Sequence, residues 1–214
     1  MRDISKVAKS SKAGGAACGW GGARNNVVTN ALTAKQVRAI HDAADRAIAC
    51  GRPFNRFVTV HWGALQIDDA HAARMTGRLI KLASDWCATK GVKMTWAWVR
   101  ENDEGDGSKG SHVHIALHSP VEVPIGSLWR RWLRHLTNGK YRRGGVLSRS
   151  IGPTLSTYVN NAGLYKENLL SVLCYMSKDV TLADAANLGI KEVETTGKVI
   201  GKRAAWWQTP TSNC

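Results

Sequence analysis

The chain has 214 residues, 43% of them apolar, with 30 Lys and Arg against 16 Asp and Glu and a formal net charge of +14. That length and apolar content fit one folded domain and argue against global disorder; no run of about 18 apolar residues occurs, so no membrane-spanning helix is expected. The charge calls for a polyanionic partner, nucleic acid or an anionic membrane surface, without choosing between them.

In chain order, residues 1–31 are rich in Gly, Ala, Lys and Asn, lack periodicity and read as a flexible basic arm. The segment MRDISKVAKSSKAGG has no apolar stretch, so no secretory signal is expected. Thr33 and Gln36 form a capping-box pattern and Gly51 a stop, with Val37, Ile40, Ala44 and Ile48 as the stripe between. Phe57–Trp62 is β-branched and aromatic and reads as a strand. Asp68 caps a second helix reaching about Lys90, with Met75, Leu79, Leu82 and Trp86 on its apolar side. Residues 93–101 and 112–118 read as the arms of a hairpin with a long polar tip at 102–110. A helix over 125–136 follows Pro124. Strand-like segments near 145–160 lead to a helix over 164–177. The domain is expected to span 32–205, with 206–214 as a tail. The fold class is α+β: an antiparallel sheet with the helices expected on one face.

The five cysteines, Cys18, Cys50, Cys87, Cys174 and Cys214, are odd in number and widely spaced. No CxxC occurs, which argues against a thiolate zinc site and a disulfide framework. Reduced, intracellular thiols are the expectation.

His112 and His114 carry the first chemical signal. On a strand, residues i and i+2 face the same way, about 6–7 Å apart, so both imidazoles can share one ion. Glu101 ends the facing strand and is the best third ligand. Asp103, Glu104 and Asp106 are weaker candidates in the loop, and His118 lies beyond reach. An isolated HxH is also compatible with two ordinary strand histidines. Two His and one carboxylate leave coordination positions open, as catalysis requires. Mn²⁺ or Mg²⁺ suits phosphoryl transfer, whereas Zn²⁺ suits the imidazoles.

A second signal lies on the 164–177 helix. Leu169, Val172, Leu173 and Met176 define a buried stripe that includes Tyr165. Tyr175 falls about 110° and Lys178 about 170° from the stripe centre. A tyrosine beside an outward lysine is what a boundary tyrosine with a solvated lysine looks like; it also suits a nucleophile whose phenolate, or the phosphate it attacks, is stabilised by the ammonium.

Taken together, Phe57–Trp62, His112-Val113-His114 with Glu101, and Tyr175-Met-Ser-Lys178 resemble the motifs of the HUH endonucleases. Their order, with the tyrosine after the histidine pair, resembles the single-tyrosine rolling-circle replication initiators (Rep proteins) rather than relaxases. Gly201-Lys202-Arg203 also resembles a stretch of some bacterial and phage-type initiators. The resemblance covers about residues 55–205 and implies a central antiparallel sheet of about five strands with flanking helices. It implies metal-dependent nicking and joining of single-stranded or hairpin origin DNA through a 5′-phosphotyrosine on Tyr175. Replication of a plasmid, phage or virus in the cytoplasm of a prokaryotic host would follow, with a host helicase and polymerase. No P-loop is present, since GKVIGK does not match GxxxxGK[ST].

Residues 126–150 hold Arg130, Arg131, Arg134, Lys140, Arg142, Arg143 and Arg149 and no acid. This block supplies half the net charge and suits sequence-independent phosphate contacts. Lys202 and Arg203 are expected to add to them. Trp96, Trp98, Trp206 and Trp207 suit base stacking, or equally sheet core for the first two. His61, at the end of the first strand, suits either a place near the metal site or an ordinary strand end. The competing functions are an HUH transposase-like nuclease, a metal-dependent hydrolase with water as nucleophile, and a non-catalytic single-strand-binding protein.

Overall fold

The computed structural model describes residues 27–103, 110–119, 125–151, 161–194 and 196–208. In chain order these form β1 (Val28–Thr29), α1 (Ala34–Ala49), β2 (Arg56–His61), a 3-10 turn at Gly63–Leu65, α2 (Asp69–Ala88), β3 (Trp96–Asp103) and β4 (Gly110–Leu117). Then come α3 (Ile125–Leu136), β5 (Val146–Ser150), α4 (Ala162–Ser177), α5 (Leu182–Leu188), β6 (Val199–Ile200) and β7 (Ala204–Trp206). No helix among the described residues is long and apolar enough to cross a membrane.

The helices begin where local chemistry says they should. Thr33 caps α1 through a complete capping box, Gln36 N–H donating to Thr33 Oγ1 at 3.2 Å and Thr33 N–H to Gln36 Oε1 at 2.9 Å. Asp68 caps α2, accepting from the His71 N–H at 2.8 Å. Past α2, Gly91 takes φ +72°, a left-handed conformation that only glycine adopts without steric cost.

Five strands make one antiparallel sheet in the order β5-β2-β4-β3-β7, and β1 with β6 make a separate antiparallel pair. Helices cover both faces of the large sheet, not one. Strand parity builds two cores. Phe57, Ala97, Val99, Ala116 and Ala204 pack against α1 and α4. Val58, Val60, Trp98, Val113, Ile115 and Leu117 pack against α2 and α3. An amphipathic helix declares that it buries one side, but not which sheet face it covers.

Several boundaries differ from the expectations. Residues 28–31 belong to the fold, because β1 pairs with β6 and Leu32 N–H donates to Asp179 O at 2.6 Å. At the other end Trp206 lies in β7 and Trp207 is buried, so the domain extends past 205. The buried stripe of α2 runs through Ala72, Thr76, Leu79, Ile80, Ala83 and Cys87; Met75, Leu82 and Trp86 sit on its half-buried flank. The hairpin arms reach Asp103 and restart at Gly110, and the tip at 104–109 lies outside the described residues, with Glu104 and Asp106. The basic arm up to residue 26, the 152–160 part of the expected strand segment and the tail after 208 also lie outside them. Cys87 and Cys174 are free, and Cys18 and Cys214 lie outside the described residues.

Candidate active site

The site forms where β2, β3 and β4 run side by side. Glu101 stands opposite His112, which stands opposite His61, and Thr59 stands opposite His114. Alternation puts these side chains on the α1/α4 face, while Val113 between the histidines enters the other core. Glu101, His112 and His114 are all buried, and one ligand atom from each lies within 4.8 Å of the others.

The hydrogen bonds orient both rings the same way. His112 Nδ1–H donates to the Gly110 carbonyl at 2.9 Å, which directs Nε2 to Glu101 Oε2 at 3.1 Å. His114 Nδ1 is 3.0 Å from Thr59 Oγ1, and its Nε2 is 3.5 Å from the same Glu101 oxygen. With Nδ1 carrying the proton, each Nε2 presents a lone pair toward a carboxylate. Two lone pairs and an anion facing one another need a cation, a proton or a metal ion, between them. His114 Nε2 and Glu101 Oε1 are buried without a hydrogen-bond partner. The triad therefore fits a divalent metal ion: three deprotonatable ligands, two outer partners holding the rings, and unused buried lone pairs.

Electrostatics agree. Burial would push the Glu101 carboxyl up, but His112, His114 and the Lys178 ammonium outweigh it and hold the carboxyl far below the usual range. For His112, burial is outweighed by Glu101 and the Gly110 carbonyl, so its pKa rises. Burial dominates at His114 and lowers its pKa.

Tyr175 and Lys178 join the triad from α4. The Tyr175 ring stands edge-on to His114, centroids 4.9 Å apart at 79°, and to Phe57 at 6.1 Å and 90°. Phe57 in turn stacks on His114 at 5.6 Å and 12°. Tyr175 keeps 40% exposure, so a substrate can reach it. Lys178 Nζ lies 4.5 Å from the Tyr175 ring centroid, 3.4 Å from Glu101 Oε2 and 2.6 Å from Glu194 Oε2. Burial opposes its charge, but Glu194 and Glu101 prevail and raise its pKa, so it stays an ammonium. Tyr165 is core, its hydroxyl donating to the Phe54 carbonyl at 3.0 Å.

The chain matches no family model, no curated protein and no solved structure.

The expected nucleic-acid contacts divide. Arg130, Arg131, Arg134, Lys140, Arg142 and Arg143 are exposed, as is Lys202. Arg203 is not: it is 1% exposed and ion-paired with the buried Asp179. Its guanidinium also donates to Thr29 O at 2.6 Å, Thr29 Oγ1 at 3.0 Å and Gly197 O at 3.0 Å. Arg203 is thus not available for the nucleic-acid contacts expected of it and instead ties β1, the 196–203 segment and Asp179 just after α4 together. Trp98 and Trp207 are core residues, while Trp96 and Trp206 are half-buried. His118 is turned away to the Pro53 carbonyl at 2.9 Å.

Sequence reasoning missed Thr59 as the His114 partner and Glu194 as the Lys178 partner. Thr59 was discoverable in principle, two positions from Phe57 on the same strand face. Glu194 carried no signal, because its approach depends on residues 190–194, which belong to no helix or strand. His61 resolves toward the site: its ring centroid is 5.6 Å from that of His112.

Proposed function

We propose that this chain is a metal-dependent single-stranded DNA endonuclease that nicks and rejoins through Tyr175, acting as a rolling-circle replication initiator of the HUH type. One observation carries it: a half-exposed tyrosine ring packed against a buried His-His-Glu triad, with a permanently charged lysine over that ring. A structural tyrosine would have no need of either neighbour.

Mn²⁺ or Mg²⁺ held by Glu101, His112 and His114 would polarise a non-bridging oxygen of the scissile phosphate. The residues do the rest. His114 and Phe57 hold the Tyr175 ring in place, so the phenol approaches the phosphate from a fixed direction. Tyr175 Oη attacks phosphorus and forms the new P–O bond as the bond to the 3′ oxygen breaks. The phenolic proton leaves to solvent, and the departing 3′ oxygen gains a proton from water. Lys178 stabilises the negative charge that develops on the oxygens, and being charged throughout it is no general base. The products are a 5′-phosphotyrosine and a free 3′-OH, and reversal by a 3′-OH rejoins the strand.

The exposed arginines of α3 and the turn after it would bind the strand's backbone. Single-stranded or hairpin origin DNA is the proposed partner, with helicase and polymerase supplied by the host, in the cytoplasm of a prokaryotic cell. Incubation with single-stranded oligonucleotides and Mn²⁺, followed by mass spectrometry of the protein, tests it. A mass gain equal to the 3′-side fragment, carried on Tyr175, supports it, and hydrolysis without adduct sinks it.

A further inference from the structure

The basic block is one stretch of sequence, but the fold spreads it over two sides of the sheet. Helix α3 packs in the α2/α3 core, so Arg130, Arg131 and Arg134 lie across the sheet from the metal triad. The Arg134 guanidinium lies over the Tyr141 ring, 5.6 Å from its centroid, which joins the helix surface to the turn bearing Lys140, Arg142 and Arg143. That turn leads directly into β5, the edge strand of the sheet.

Along β5 the sides alternate. Val146 packs into the α2/α3 core, whereas Leu147 and Arg149, opposite Thr59 and Phe57, face the triad side. Leu147 is 59% exposed. The Arg149 guanidinium lies over the Phe57 ring, 5.1 Å from its centroid. A continuous stack results: Arg149 on Phe57, Phe57 on His114, and Tyr175 edge-on to both rings. A guanidinium held over a ring keeps its N–H donors available, and an arginine can grip a phosphate through two of them. Leu147 beside it offers apolar contact for a sugar or base edge.

We infer that a single-stranded nucleic acid rounds the sheet at the β5 edge, with Arg149 gripping a phosphate next to Tyr175 and the 140–143 turn and α3 holding phosphates further along. The inference rests on the proposed nicking function for what happens at Tyr175, and on surface chemistry for the path. The acid-free 126–150 stretch favours a polyphosphate over an acidic protein segment, whose carboxylates are spaced less regularly.

The test is equilibrium binding of fluorescent single-stranded oligonucleotides over a salt series, for the wild type, Arg149→Ala and Arg149→Lys, with thermal unfolding as a control for folding. Arg149→Ala is expected to weaken binding roughly tenfold and to reduce the salt slope by about 0.7. Arg149→Lys is expected to recover the slope but not the full affinity, since an ammonium lacks the fork. A single neutral methylphosphonate walked along the oligonucleotide then finds the contacted phosphate, as the link that weakens the wild type and leaves Arg149→Ala unaffected. That link should lie nearer the Tyr175-attacked phosphate than the link that loses its effect in Arg131→Ala. Unchanged affinity and slope in Arg149→Ala, the reverse order of links, or a wild type that prefers an acidic peptide overturns the inference. Binding that obeys these expectations without any covalent adduct overturns the nicking function alone.

Discussion

The Tyr175 ring meets the His114 imidazole edge-on at 4.9 Å, although the two residues belong to a helix and a strand 61 positions apart in the chain. On the proposed reading His114 would serve twice, as a metal ligand through Nε2 and as a wall for the nucleophile. Its Nδ1 contact with Thr59 at 3.0 Å would govern both duties. Replacing Thr59 by Val is expected to weaken Mn²⁺ binding by about tenfold, as loss of an outer partner of a ligating histidine does. Calorimetric titration checks it; unchanged affinity would show that the hydroxyl does not orient the ring.

Metal binding should depend on pH with a definite sign. Burial works against it, but Glu101 and the Gly110 carbonyl raise the His112 pKa above the ordinary 6.5, and Nε2 must lose its proton to ligate. Its raised pKa stabilises the metal-free fold fully below that value, and the contribution is lost as pH rises through the folded pKa. The depressed Glu101 acts oppositely, contributing above its ordinary 4.5 and losing that contribution as pH falls. The stabilisation by Mn²⁺ should accordingly be larger at about pH 8 than at about pH 6. Thermal unfolding with and without Mn²⁺ at both values measures it, and a pH-independent shift contradicts the assignment of His112.

Lys178 is expected to act through its charge alone. Lys178→Met should leave Mn²⁺ affinity nearly intact and slow adduct formation by roughly 10²–10³-fold, the usual cost of removing a charge-stabilising donor. Because Glu194 and Glu101 raise the Lys178 pKa, the rate should show no fall from its deprotonation below about pH 10. A rate that drops near neutrality and recovers with an arginine substitution would mean that Lys178 works by exchanging a proton.

Arg203 offers the sharpest contrast between sequence and fold. Within Gly201-Lys202-Arg203 it reads as a surface charge, yet it is buried against Asp179, 24 positions earlier. Arg203→Gln leaves that carboxylate buried and unpaired, and should cost about 3–5 kcal/mol of stability. The salt slope of DNA binding should not change. Urea unfolding and binding titrations together decide: intact stability with a reduced slope would return Arg203 to the interface.

How much was legible follows from the range of each signal. The His112/His114 pair, the Glu101 partner and the exposed Tyr175 depend on strand and helix periodicity over a few residues, and the fold assembles them as that periodicity implies; Lys178, read as outward, is instead turned in to Glu101 and Glu194 with its side chain 13% exposed. The antiparallel sheet followed from strand character and the hairpin, and its five strands from the resemblance. What failed depends on long-range register. The side on which α3 lies, the burial of Arg203, and the pairing of Val28–Thr29 with Val199–Ile200 are set by contacts between distant segments. The buried and half-buried tryptophans likewise differ only in which neighbour arrives, and β6, β7 and α5 are too short to produce periodicity.

The central claim is that Tyr175 becomes covalently bound to DNA. The direct measurement is intact-protein mass spectrometry after reaction with single-stranded origin oligonucleotides and Mn²⁺, on the wild type and Tyr175→Phe. The wild type should gain the mass of the 5′-phosphorylated fragment, lose that gain when Mn²⁺ is chelated, and Tyr175→Phe should show none. An adduct that persists in Tyr175→Phe, or cleavage without any adduct, would contradict it.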